Sequence, residues 1–123
     1  MLKDRTVEEV KKYLDETYLG RMDVFIEEWV TDSNGEDIQI KRQILTGEKC
    51  RLGFKSGNFI LKDTHNRTEQ DLVVYCRPEI DIPEGATIEL IQHSTKYTLN
   101  NAQRGRKYRT HIEYAVEEII EHV

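Results

Sequence analysis

The side chains of this chain able to do chemistry are four histidines, two cysteines and several carboxylate pairs. His65, His93, His111 and His122 have no Cys, Ser or Asp at the spacing of a known nucleophile or metal motif. G-x-S-x-G, H-E-x-x-H, Walker and G-x-G-x-x-G sequences are all missing. Glu27-Glu28, Glu36-Asp37 and Glu117-Glu118 fall on strand-like or turn-like stretches. Neighbours on a strand point to opposite faces, so these pairs do not converge as an acid and a base. Asp32-x-Asn34-Gly35-Glu36 loosely suggests a calcium loop, but the glycine is misplaced and the distal Glu is missing. Cys50 and Cys76 form no C-x-x-C pair and read as reduced, unreactive thiols of a cytoplasmic protein. Asn66-Arg67-Thr68 matches the glycosylation sequon, which a cytoplasmic chain would not present to that machinery. The expectation is a protein that is not an enzyme, with no metal and no cofactor.

Elements must therefore position binding groups rather than catalytic ones. The 123 residues suit one domain spanning 1–123, long enough to bury roughly two-thirds of the unfolded surface. Charged residues are 33% and hydrophobic residues 37%, with apolar residues in patterned clusters rather than a disordered composition. The net charge of −5 disfavours a surface that grips nucleic acid everywhere, though a local basic patch is compatible with it. No apolar run reaches the roughly 18 residues of a membrane span, and Met1-Leu2-Lys3-Asp4-Arg5 has no apolar signal region.

Residues 6–19 read as a helix. Thr6 and Glu9 make a capping box, Val7, Val10, Leu14 and Tyr18 share a face with Tyr13 beside them, and Gly20 closes the end. Residues 22–45 read as a hairpin turning at Asn34-Gly35, where both residues tolerate positive φ. Residues 46–70, punctuated by Gly47, Gly53 and Gly57 and polar from Thr64 to Gln70, read as a long mobile loop. The remaining strands lie in 71–118. Leu72–Cys76 is a buried run, Ile80–Gly85 an extended step and turn, and Ala86, Ile88 and Leu90 alternate. A partner strand follows over 95–99. Tyr108, Thr110, Ile112, Tyr114 and Val116 alternate as a strand over 107–118, with a helix over 113–122 as the alternative. His111 falls opposite that strand's apolar phase and should face solvent or a partner. The expected fold is mainly β: a small antiparallel β-barrel of about six strands with one short N-terminal α-helix, since closure removes exposed edges.

Charge is segregated. Residues 41–62 hold six cations (Lys41, Arg42, Lys49, Arg51, Lys55, Lys62) against Glu48 alone, and 104–109 holds Arg104, Arg106, Lys107 and Arg109. Acidic stretches are 27–37 and 113–121. Separate acidic and basic segments suit head-to-tail assembly, and basic loops also suit phosphates.

Asp81-Ile82-Pro83-Glu84-Gly85 before a strand, and Tyr108-x-x-His111-x-Glu113 in a closing one, resemble the head-completion proteins of tailed phages. These are also called head–tail connector or stopper proteins, and the resemblance extends to the XkdH/YqbH group of PBSX-type defective prophages. The resemblance spans about residues 20–118. It implies a structural virion protein at the head–tail junction: a ring, monomeric when free, that closes the DNA channel after packaging and gives the tail a docking surface. Its implied partners are other copies of itself, a portal or adaptor ring on the head side, a tail terminator, and packaged DNA in transient contact, with no membrane. It implies a path from host cytoplasm to virion. By position in the chain, Lys49, Arg51 and Lys55 would face the channel and DNA. Arg104, Arg106, Lys107 and Arg109 would contact neighbouring subunits or the tail. The alternative is a small nucleic-acid-binding β-barrel using the same cations, with Phe54, Phe59 and Tyr108 stacking on bases.

Overall fold

The computed structural model describes residues 4–56 and 70–119. One helix, α1 (Asp4–Thr17), precedes seven strands: β1 (Gly20–Thr31), β2 (Asp37–Ser56), β3 (Gln70–Cys76), β4 (Thr87–Gln92), β5 (Thr95–Asn101), β6 (Arg106–Lys107) and β7 (Ile112–Glu118). All pairings are antiparallel and run β3-β2-β1-β4-β5-β7, and β7 pairs back onto β3. Six strands thus form a closed, barrel-like circuit, the mainly β fold expected. The short β6 pairs with the first residues of β7, beside the stretch of β7 paired to β5.

The interior follows the period-2 pattern. Met22 and Val24, Cys50 and Leu52, Val74 and Cys76, Ile88 and Leu90, Leu99, Ile112, Tyr114 and Val116 are buried together. One end is closed by the Ile80–Gly85 step. Tyr114 Oη donates to Ile80 O at 2.6 Å and accepts from Ile82 N–H at 3.0 Å. Asn101 Nδ2 donates to Ile82 O and Pro83 O, both at 3.0 Å. The backbone of a loop without ladder partners is thus satisfied by two buried side chains. Gly105 passes so near this clamp that an added Cβ would lie 2.5 Å from the Tyr114 ring.

Several expectations need correction. Residues 46–56, read as loop, are the second half of a 20-residue β2. Glycine there makes a bulge rather than a break. Gly47 has φ +60 and donates its N–H to Asp23 Oδ1 at 2.8 Å, where the β1–β2 register shifts. Residues 57–69 of the expected loop lie outside the described residues. Helix α1 ends at Thr17, whose hydroxyl donates to Leu14 O at 2.6 Å. Gly20 is therefore no cap but the first residue of β1, opposite Cys50. Thr6 lies inside the first turn because the helix already starts at Asp4, an acidic residue suited to that end. Tyr13 is exposed rather than beside the buried face.

At the first hairpin only Gly35 takes positive φ, and Asp32 Oδ1 accepts from the amides of Asn34 and Glu36. The two-residue turn with both φ positive sits instead at His93 (φ 52) and Ser94 (φ 63), between β4 and β5. Residues 113–118 are strand, not helix, whereas 108–111 turn, with Tyr108 N–H donating to His111 O at 2.8 Å.

Candidate functional site

β2, β3, β7 and β6 align Arg51, Tyr75, Glu113 and Arg106 as register partners in one row across the outer face. The Arg51 guanidinium lies 4.4 Å from the centre of the Tyr75 ring, a cation–π contact. The 108–111 turn folds His111 back beside this row. Its ring stacks on Tyr108, with centroids 4.8 Å apart and planes 17° apart, and sits 6.1 Å from Tyr75. His111 Nε2 is 2.9 Å from Glu113 Oε2, and His111 Nδ1 is 2.9 Å from Thr110 Oγ1. Donation from an Nε2–H to the carboxylate leaves Nδ1 to accept from the threonine hydroxyl, which satisfies both contacts.

Hydroxyl, imidazole and carboxylate in sequence have the order of a nucleophile relay. The nitrogens are used the opposite way round from a serine hydrolase, and the hydroxyl belongs to the residue next to the histidine. The cluster is better suited to present a rigid aromatic and charged surface than to activate an attack. Among the described residues no group of three or more His, Cys, Asp or Glu side chains is placed to hold a metal ion. No helix among them is long and apolar enough to cross a membrane.

The two basic clusters, far apart in sequence, meet in this row through Arg51 and Arg106. Arg104, Lys107 and Arg109 are exposed nearby in the chain. Lys49 is placed differently. Its Nζ is 3.4 Å from Asp15 Oδ2, and Arg77 binds Asp15 Oδ1 at 2.8 Å, so the pair fastens α1 to the barrel. The Arg77 guanidinium, hydrogen-bonded to it, holds the Asp15 carboxyl below its ordinary range. Lys55 lies on β2 opposite Asp71. Phe54 is exposed, and Tyr108 is occupied by His111. Phe59 lies outside the described residues. His111, expected to face solvent or a partner, lies beside the outer-face row and is partly covered there by Tyr108, Thr110 and Glu113. Sequence reasoning missed Tyr75, whose signal was a polar tip inside an apolar run, and the buried Asn101–Tyr114 clamp.

Next to the row, a cleft of about 410 Å³ is lined by Leu72, Val73, Ala115 and Val116 together with Arg104, Arg106, Glu113 and Glu117, and of the four apolar residues Ala115 is the exposed one. On the other side of the sheet order, β1 pairs with β4 only over Arg21–Phe25, and β2 pairs with β3 only over Cys50–Ser56. Residues 26–42 therefore pair only with each other among the described residues, as a two-stranded arm. At roughly 3.3 Å per residue its strands run about 20 Å past the closed sheet.

The fold and this surface define a small, closed antiparallel β protein with a protruding arm and a basic aromatic outer face. No protein-family model matches the chain, and no curated protein matches it. Among solved structures it is similar to the phage-like element PBSX protein xkdH from Bacillus subtilis, at 13% identity and a TM-score of 0.41. That likeness covers 80% of this chain and 91% of that one.

Proposed function

We propose that this protein is a structural component of a phage or prophage particle at the head–tail junction. It forms a ring that closes the DNA channel after packaging and presents the surface on which the tail docks. The arm carries this reading. A two-stranded ribbon is marginal in water by itself, yet this one exposes Trp29 (70%), Ile38 (40%) and Ile40 (38%). Exposed apolar surface on a projecting ribbon is built to be covered by another protein. The sequence resemblance supports the same reading, and both of its motifs are structural units: the step held by Tyr114 and Asn101, and the Tyr108–His111–Glu113 cluster.

In this assembly a portal or adaptor ring lies on the head side and a tail terminator on the other. Lys49, Arg51 and Lys55 lie along β2 and are assigned to the channel side. Arg104, Arg106, Lys107 and Arg109 are assigned to contacts with neighbouring subunits or the tail. The free chain is monomeric in dilute solution, because many weak contacts act together only in the ring. The test is electron microscopy of induced particles from a strain lacking the gene. Separate DNA-containing heads and complete free tails are expected, and normally joined particles would overturn the proposal.

A further inference from the structure

We infer that the β1–β2 arm of one copy docks in the outer cleft of the next copy, between the β3–β7 floor and Arg104 and Arg106. This names the contact that closes the proposed ring, and rests on that reading for the ring alone. Partners in register share a face, so Val30 lies with Ile38, and Glu28 with Ile40, on one side of the arm. That side continues from Ile26, which packs on the core, and Glu28 is bound there by Arg42 at 2.9 Å. Val30, Ile38 and Ile40 give this side an apolar surface around one ion pair, and the cleft is lined by apolar and charged residues in turn.

Charge matches as well. Asp32, Glu36 and Asp37 at the arm's tip have no cation within ion-pair distance among the described residues. Arg104, Arg106 and Lys107 likewise have no carboxylate partner there. A second copy supplies both deficits in one contact. Arm and cleft are different surfaces, so the contact is heterologous, and repeating it closes a ring or extends a filament. Glu113 and Glu117 also line the cleft, but Glu113 is engaged by His111.

Cysteine cross-linking tests this without a particle. Ile38 and Ala115 are exposed, and the native Cys50 and Cys76 are buried. An equimolar mixture of I38C and A115C, oxidised at high protein concentration, is expected to give at least fivefold more disulfide dimer than either variant alone. Arg104→Glu with Arg106→Glu on the A115C chain should lower that yield several-fold. Glu36→Lys with Asp37→Lys on the I38C chain should restore it. Cross-linking of I38C chiefly to itself would overturn the inference in favour of arm-to-arm pairing. A mixture yield no higher than I38C with a control cysteine at the exposed Thr95 would also overturn it. Separate heads and tails in the deletion strain with no such cross-link would leave the junction role standing and remove only this interface. The cross-link with normally joined particles would do the reverse.

Discussion

The ring of Tyr108 lies on the ring of His111, 4.8 Å between centroids and 17° from parallel. The stack holds the 108–111 turn against the outer face and orients His111 toward Glu113. Removing the Tyr108 ring should cost about 0.5–1.5 kcal/mol, the value of an aromatic pair beyond its area. Urea unfolding of Tyr108→Ala should show this loss, with Tyr108→Phe close to wild type because the hydroxyl adds nothing to the stack.

Tyr114→Phe should cost about 1–3 kcal/mol, because it strands the buried Ile82 N–H and removes the donor to Ile80 O. Hydrogen exchange at Ile82 should quicken more than at Leu52 on β2. Gly105→Ala should destabilise comparably, since its Cβ meets a Tyr114 ring that two hydrogen bonds hold in place.

His93 and Ser94 are non-glycine residues with left-handed backbone. His93→Asn with Ser94→Gly should raise stability by about 1 kcal/mol, because that turn then carries residues suited to it. Thermal unfolding monitored by circular dichroism measures the gain.

Asp15 joins α1 to the barrel through Arg77 and Lys49. Its carboxyl titrates lower folded than unfolded, so its contribution is full above the unfolded value and lost as pH falls through the folded one. Asp15→Asn should therefore cost about 0.5 kcal/mol at pH 7, a small amount because solvent screens the half-exposed partners. The difference from wild type should shrink to nothing as urea titrations move from pH 5 into the acid range.

Burial pushes the Cys50 thiol up to about 12 and Cys76 in the same direction. Neither forms a reactive thiolate at pH 8. Ellman's reagent should leave both untouched in the native protein and modify both in guanidinium chloride.

Local pattern alone determined the continuous apolar strand at Leu72–Cys76, the alternating one carrying Ile88 and Leu90, the first hairpin, the single helix and the mainly β class. Each of these is written in an apolar run, a period-2 or 3.6 spacing or a turn pair among residues close to one another in the chain. Tertiary structure decided the rest. The cost of Gly47 and Gly53 in a strand is about 1 kcal/mol each, and ladder bonds from β1 and β3 on either side of β2 outweigh it, so an apparent loop is strand to residue 56. The positive-φ turn went to His93–Ser94 because the β4–β5 register leaves only two residues to connect the strands. Arg51 and Arg106, 55 positions apart, share a row only because β3 and β7 close the circuit between them. Pairing across a closed sheet is a relation between distant strands, and no spacing along one chain encodes it.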